Sequence, residues 1–119
     1  MTIRVMIPIA LALVAGLVPA RAEVSTPAHA ETTSRTVEGT ASTYGPGYAG
    51  LIALPEGRGI RVRICGPARC VVRTSNDAGP SRKMQRRGRI VDLDARTFTK
   101  VCGCGWRTGL VRVSVEYLR

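Results

Sequence analysis

The fold is decided by the stretch Val71-Val72-Arg73-Thr74-Ser75-Asn76-Asp77-Ala78-Gly79-Pro80, in which a strand pattern runs into a turn pattern. Val71 and Val72 are β-branched residues typical of strands, whereas asparagine, aspartate, glycine and proline are typical of turns. The stretch therefore predicts a strand that ends in a turn with Asp77 at its tip. Such an acid either caps the turn by accepting from nearby backbone N–H groups or does chemistry, and composition alone favours the cap.

Strand patterns also lie on both sides of this stretch, with apolar and polar residues in alternation. The predicted strands span residues 39–44, 60–65, 70–74, 89–93 and 110–118, and a short apolar run lies at 51–55. Residues 81–88 are predicted to form a polar loop. Asp94 is a suitable N-cap for a short helix over residues 95–101, which Gly103 ends. Several short strands and one helical segment predict an all-β fold, a small closed barrel, because closure removes exposed sheet edges.

Residues 1–22 have the pattern of an export signal. A basic residue and a short apolar run lead to Ala20-Arg21-Ala22, which has the small-x-small form of a cleavage site. The apolar run is shorter than the roughly 20 residues that span a bilayer, so we expect no membrane span after cleavage. Residues 23–37 are predicted to be a disordered linker, followed by one domain over residues 38–119. We therefore expect a protein that is secreted or held in the cell envelope.

The chain is strongly basic. Removal of Arg4 and Arg21 with the signal leaves 16 of the 18 basic residues against 8 acidic ones, a formal charge of +8. The densest basic cluster contains Arg82, Lys83, Arg86, Arg87 and Arg89. Outside a cell, this charge favours anionic wall polymers as partners, and membrane surfaces or stray nucleic acid are weaker alternatives. As a structural alternative, the cluster is a solvated loop.

Four cysteines allow three full pairings, and an exported chain is expected to oxidise them. Cys102 and Cys104 are separated by one residue, and a bridge between them is expected to be strained, which favours cross-pairs with Cys65 and Cys70. A Cys65–Cys70 bridge across a four-residue turn is also sterically reasonable. A four-cysteine zinc site is the competing idea, but the spacing departs from the usual pattern. We expect no metal and no cofactor.

Five motifs in order resemble the rare lipoprotein A family. They are Gly39-Thr40-Ala41-Ser42-x-Tyr44-Gly45, Leu54-Pro55 with Ile60-Arg61-Val62, Val71-Val72-Arg73 with Asn76-Asp77-x-Gly79-Pro80, Arg89-Ile90-Val91-Asp92-Leu93, and Val111-Arg112-Val113-x-Val115-Glu116. The resemblance covers nearly all of residues 38–119. It implies a six-stranded double-psi β-barrel with one short helix, the fold shared with expansins, barwin and some endoglucanases. It also implies peptidoglycan binding and, for some members, lytic transglycosylase activity.

The family's catalytic aspartate carries over to Asp77, within Asn76-Asp77-x-Gly79-Pro80. The resemblance thus implies that Asp77 is a general acid, which protonates the leaving oxygen while a sugar hydroxyl attacks. The chain departs from the family elsewhere. Its loop after the first strand is shorter, Leu51 stands where the family has a histidine, and Thr43 stands where a tryptophan is common.

We therefore predict an exported protein that binds peptidoglycan or another anionic cell-wall polysaccharide, and that cleaves it as a lytic transglycosylase. The alternative is an expansin-like module that binds or loosens the wall without turnover. The predicted substrate-binding residues are Tyr44, Tyr48, Arg73 and Asn76. We expect a monomer without specific nucleic-acid binding.

Two other acids in the domain are given structural roles by the sequence. Asp92 lies inside an apolar strand, and Asp94 is the helix cap described above. The one histidine, His29, falls in the predicted linker. A histidine-based catalytic triad inside the domain is thereby excluded.

Overall fold

The computed structural model describes Thr2 and residues 32–119, so the predicted export signal and residues 23–31 lie outside the described part apart from Thr2. The strands of the described part are β1 (Thr33–Thr43), β2 (Ile52–Leu54), β3 (Arg61–Cys65), β4 (Cys70–Thr74), β5 (Asp77–Ala78), β6 (Arg89–Leu93) and β7 (Leu110–Leu118). Its helices are α1 (Arg82–Arg86), α2 (Ala95–Cys102) and a 3-10 turn at Trp106–Thr108.

The seven strands of the described residues form one sheet in the order β4-β3-β7-β1-β6-β2-β5. The strands at its two edges, β4 and β5, are consecutive in the chain and are joined by Ser75 and Asn76 alone. At this joint the N–H of Ser75 donates to the carbonyl of Ile60 at 2.8 Å, and the N–H of Asn76 donates to the carbonyl of Ile52 at 3.0 Å. The sheet therefore curls until both edges meet at residues 75–76.

The stretch that decides the fold, residues 71–80, contains this joint. Its strand half is β4, paired antiparallel with β3 as the predicted hairpin. Its turn half differs from the prediction, because Asp77 belongs to a short parallel strand against β2, with Asp77 opposite Ala53. The polar composition of residues 75–80 does not predict this pairing, because β5 pairs with β2 only when the sheet closes.

Two further features differ from the sequence prediction. β1 begins at Thr33 rather than at residue 39, so residues 33–37 of the predicted linker are part of a strand paired with β7. The predicted loop 81–88 contains α1, which Ser81 caps by accepting from the N–H of Met84. The described part thus has seven strands and two α-helices, where six strands and one helix were predicted.

The one predicted helix is confirmed as α2. The carboxylate of Asp94 accepts from the N–H of Thr97 at 3.3 Å, and Gly103 ends the helix with a φ of 67°. Phe98 and Val101 are fully buried against the inner face of the sheet. Trp106 is half-buried and packs against the same core. Within the described residues, no helix is long and apolar enough to cross a membrane.

The cysteines form Cys65–Cys70 and Cys102–Cys104 bridges, so the favoured cross-pairing is wrong. Cys65 and Cys70 are directly opposed in the β3–β4 ladder with their Cα atoms 4.0 Å apart. Gly103 adopts a left-handed conformation between the other two cysteines, which leaves their Cα atoms 5.1 Å apart. Local backbone turns decide both pairings. Two disulfides fit an oxidising, extracytoplasmic environment.

Candidate functional site

Four neighbouring strands bring one residue each into a single row across the sheet. Ser42 on β1 is opposite Asp92 on β6, Asp92 is opposite Ala53 on β2, and Ala53 is opposite Asp77 on β5. Residues paired directly across a ladder project from the same face of a sheet. The row therefore places two carboxylates on one face with only the small side chain of Ala53 between them. We call these four residues the acidic row.

Asp77 is half-buried, and both of its carboxylate oxygens are engaged. One oxygen accepts from the N–H of Ala78 at 2.9 Å, which is the turn-capping role expected from composition. The other accepts from the hydroxyl of Tyr44 at 2.9 Å. Tyr44 follows β1, and its own N–H donates to the carbonyl of Leu93 at 2.9 Å. The carboxylate is thus held in one orientation by two elements distant in sequence.

Asp92 is the second acid of the acidic row and is also half-buried. The hydroxyl of Ser42 donates to one of its carboxylate oxygens. Burial raises the pKa of Asp92, and repulsion from Asp77 adds to this, although the Ser42 hydrogen bond and the charge of Arg89 oppose it. The Asp92 carboxyl therefore keeps its proton to a higher pH than a solvated aspartate does.

Tyr44, which is bonded to Asp77, packs against a second tyrosine, Tyr48. The rings of Tyr44 and Tyr48 are 5.6 Å apart between centroids and tilted by 37°. Burial, the hydrogen bond to Asp77 and the negative charges of Asp77 and Asp92 raise the pKa of Tyr44, so its hydroxyl stays a donor. Tyr48 is 53% exposed and offers an aromatic face to solvent. An exposed ring next to hydrogen-bonding carboxylates is a combination suited to a sugar, which has apolar faces and polar edges.

Gly79 keeps the site open for the carboxylates. A Cβ at this position would lie 3.2 Å from the Asp92 carboxylate and 3.5 Å from the Ala53 side chain, and its φ of +150° also favours glycine. Its N–H donates to the carbonyl of Leu54 at 3.1 Å, next to β5. The glycine of the Asn-Asp-x-Gly-Pro motif is therefore required by the close approach of backbone to the acidic row.

The other two predicted binding residues have different surroundings. The side chain of Asn76 accepts from the N–H of Ile52 and donates to the carbonyl of Gly50, each at 2.8 Å, and so ties the loop before β2 to the joint. Asn76 is thus a positioning residue in this structure. Arg73 lines a separate pocket, and its guanidinium donates to the carbonyl of Val72 at 2.8 Å. The structure therefore brings Tyr44, Tyr48 and Asp77 together but not Arg73.

Asp92 and Ser42 belong to the site but are not predicted from the sequence as site residues. Asp92 was assigned a structural role because it lies in an apolar strand. An ionisable residue among apolar strand neighbours is the signal that could have identified it, since a half-buried acid is uncommon without a partner. Ser42 carries no such signal, because its role depends on the register between β1 and β6. Among the described side chains, no group of three or more metal-ligating residues is arranged to hold a metal.

No family model matches the chain, and no curated protein matches it. Its fold is similar to that of the expansin of Clavibacter michiganensis. The crystal structure of the apo form superposes with a TM-score of 0.56 and 18% identity, over 71% of this chain and 51% of that one. An aspartate-to-asparagine variant of the same expansin, in complex with cellohexaose, gives a TM-score of 0.55 and 19% identity over the same fractions. This chain spans about half the length of the structures it matches. The likeness confirms the predicted all-β, double-psi barrel class.

Proposed function

We propose that this chain binds a cell-wall polysaccharide across the acidic row, with Tyr44 and Tyr48 as the aromatic wall of the site. The observation that carries this proposal is the row of two half-buried carboxylates, in which Asp77 is bonded to Tyr44 and Tyr44 packs against the exposed ring of Tyr48. Carboxylates accept from sugar hydroxyls, and aromatic rings stack on sugar faces. The cellohexaose complex of an expansin with the same fold supports a polysaccharide ligand. The excess of basic residues favours an acidic polymer such as peptidoglycan.

The binding proposal is tested by retention of the purified protein on insoluble peptidoglycan and on cellulose. Tyr48→Ala removes the exposed ring and is expected to weaken retention by roughly tenfold, the loss of one good stacking contact. Glu116→Gln is the matched control, because Glu116 forms an ion pair with Arg63 on the β3–β7 side of the sheet. Equal retention of Tyr48→Ala and of the unaltered protein would contradict the proposed site.

A second function, cleavage of the glycan, is favoured by the raised pKa of Asp92 beside Asp77. Two carboxyls whose environments differ are the usual basis for one donor and one acceptor. In the proposed reaction Asp92 donates its proton to the glycosidic oxygen as the bond to C1 breaks. The C6 hydroxyl of the same sugar attacks C1, and its proton passes to Asp77, giving an anhydro sugar end. Asp77 as the donor, as predicted from the sequence, is the alternative assignment.

Cleavage is tested on peptidoglycan stripped of its stem peptides, with anhydro-sugar ends detected by mass spectrometry. Asp77→Asn and Asp92→Asn are each expected to abolish the product. Product formation undiminished in both variants, or no product from the unaltered protein, would remove the catalytic claim and leave the binding claim standing.

A nitrophenyl glycoside separates the two assignments, because its leaving group needs no proton. The variant that lacks the donor is expected to retain activity on this substrate, and the variant that lacks the acceptor is not. Activity retained by Asp92→Asn supports Asp92 as the proton donor, whereas activity retained by Asp77→Asn supports Asp77 as the donor, as predicted from the sequence.

A further inference from the structure

A pocket of about 280 Å³ lies between the loop before β2, strand β4 and helix α2. Three of its lining side chains are cationic, Arg73 from β4 and Arg96 and Lys100 from α2. Arg96 and Lys100 are four residues apart and therefore lie on one face of α2. Cations from two elements that are distant in sequence thus converge on one pocket. We call it the basic pocket.

The one acid in the lining of the basic pocket is occupied. Asp94 is 4% exposed, and its carboxylate accepts from the N–H groups of Thr97 and Gly50 at 3.3 and 3.0 Å. Within the described part of the chain, none of the three cations forms an ion pair. Arg73 is already oriented by its hydrogen bond to the Val72 carbonyl. The pocket therefore carries a net positive charge, part of which is held in place before any ligand arrives.

Another pocket of the described residues, of about 260 Å³, provides a contrast. It also contains arginines, but Arg35 there forms an ion pair with Glu56, which lines the same pocket. One of its two arginines, Arg35, is therefore balanced from within the pocket. The basic pocket has no such internal partner for its cations, which is the condition for attracting an anionic ligand.

The basic pocket adjoins the proposed polysaccharide site through one loop. Tyr48 contributes to the aromatic wall, and the next two residues, Ala49 and Gly50, line the basic pocket. Asn76, the neighbour of Asp77, holds this loop through its hydrogen bond to the Gly50 carbonyl. A polymer that extends from Tyr48 along this loop would reach the mouth of the basic pocket.

We infer that the basic pocket binds an oxyanion carried by the polysaccharide, a carboxylate or a phosphate, and so selects acidic polymers over neutral ones. Guanidinium and ammonium groups bind such oxyanions through short, charge-assisted hydrogen bonds. The inference rests on the proposed function, because one polymer occupies both sites. Carboxylated sugars and phosphodiester-linked wall polymers present the same charged oxygens, so the experiment must separate them.

The test compares two double variants of the full chain that each remove two positive charges. R96Q/K100Q alters the basic pocket, and R82Q/K83Q alters exposed residues of α1 outside it. Binding is measured by calorimetry with oligogalacturonate, with a wall teichoic acid and with neutral cellohexaose. The pocket variant is expected to lose on the order of tenfold in affinity for an acidic polymer and nothing for cellohexaose, while the α1 variant loses much less.

Loss with oligogalacturonate alone identifies a carboxylate ligand, and loss with teichoic acid alone identifies a phosphate. Equal losses in the two double variants would overturn the inference, because they would reflect net charge rather than a pocket. R73Q, on a different element, is a third variant and is expected to reproduce the loss. It replaces R96Q/K100Q in the comparison if that double variant folds poorly.

A separate measurement does not depend on the proposed function. Galacturonate monosaccharide and inorganic phosphate are titrated into the labelled protein, and amide signals of residues 94–100 are followed by NMR. Saturable shifts that R96Q/K100Q abolishes support the basic pocket even where cellohexaose and insoluble wall are not bound, in which case only the proposed function fails. The absence of such shifts with both anions overturns the pocket.

Discussion

Two tyrosine–carboxylate pairs in this molecule make the same hydrogen bond but have different charged neighbours. The hydroxyl of Tyr44 donates to Asp77 at 2.9 Å, and the hydroxyl of Tyr117 donates to Glu56 at 3.0 Å. Arg35 lies beside the second pair, where it forms an ion pair with Glu56 and covers the Tyr117 ring at 3.9 Å from its centroid. The first pair has another carboxylate as its neighbour instead.

The neighbour decides what each pair does. Burial by itself raises the pKa of Glu56, but hydrogen bonds from its own backbone N–H, from Arg35 and from Tyr117 outweigh burial and lower it. Glu56 is therefore a satisfied anion that joins β1, β7 and the loop after β2. Asp92 has its pKa raised by burial and by Asp77, so the acidic row holds a charge that the fold does not balance. Unbalanced charge of this kind is typical of functional sites.

The largest expected effect concerns function. Asp77→Asn and Asp92→Asn are each expected to reduce polysaccharide binding by at least roughly tenfold, because each removes a carboxyl group that hydrogen-bonds to the sugar. Glu56→Gln is expected to leave binding within about twofold of the original, an effect within the small range of surface changes. Retention on insoluble peptidoglycan is the measurement. A loss of binding in Glu56→Gln equal to that in Asp77→Asn would end the distinction between the two pairs.

The next effect concerns stability. Tyr117→Phe leaves Glu56 without one buried donor and is expected to lower the free energy of unfolding by about 1 kcal/mol, the value of a typical hydrogen bond. For a domain of this size that corresponds to a fall in Tm of roughly 4–8 °C. Tyr44→Phe is the matched control at the other pair, and we expect it to cost less because Tyr44 is less buried than Tyr117, so that water replaces its hydroxyl more readily. A larger fall in Tm for Tyr44→Phe would mean that the Tyr44–Asp77 pair, and not the Tyr117–Glu56 pair, contributes more to stability.

The pH dependence of stability is expected to have opposite signs at the two pairs. The folded state holds the pKa of Glu56 below its usual 4.5, so Glu56 stabilises fully above pH 4.5 and loses this as pH falls through the folded value. The pKa of Asp92 is above its usual 3.8, so its ionisation destabilises the fold as pH rises from 3.8 through the folded value. Lowering the pH from 7 to 3 thus weakens the first contribution and removes the second penalty.

Thermal unfolding of the original protein, Glu56→Gln and Asp92→Asn from pH 7 to 3 measures these contributions. The Tm advantage of the original protein over Glu56→Gln is expected to shrink with acidification. Its Tm relative to Asp92→Asn is expected to improve over the same range. A change of the same sign in both comparisons would contradict the contrast between the two carboxylates.

The smallest effect, on the free energy of unfolding, is expected for substitution of Arg35. Arg35 is 53% exposed, so Arg35→Gln removes a screened ion pair worth less than about 1 kcal/mol. The loss is expected to shrink further at high salt. Denaturant unfolding at two salt concentrations measures it, with Arg63→Gln at the other ion pair as the control. A loss of several kcal/mol would mean that Glu56 depends on Arg35 far more than its exposure indicates.

Much of the fold follows from local sequence patterns. The β3–β4 hairpin, strands β6 and β7, and the Asp94 cap of α2 depend on alternation and on single capping residues, which a sequence displays directly. β5 and the first half of β1 could not be predicted in this way. Their residues are polar or exposed, and they become strands because distant partners, β2 and β7, supply the hydrogen bonds.

The site divides in a similar manner. Asp77 and Tyr44 could be predicted because each lies in a short sequence motif. The contact between Asp92 and Ser42 could not be predicted, because it depends on a register between strands separated by 50 residues. The basic pocket depends likewise on the packing of α2 near β4, which places Arg96 and Lys100 close to Arg73.

The acidic row has one consequence for experiments on folding. Its members come from β1, β2, β5 and β6, so no fragment that lacks any of these strands possesses the row. Ligand binding should then disappear together with the last strand pairing and return only with it. For a chain with one tryptophan and little helix, binding would be a sharper reporter of the complete native state than fluorescence or circular dichroism.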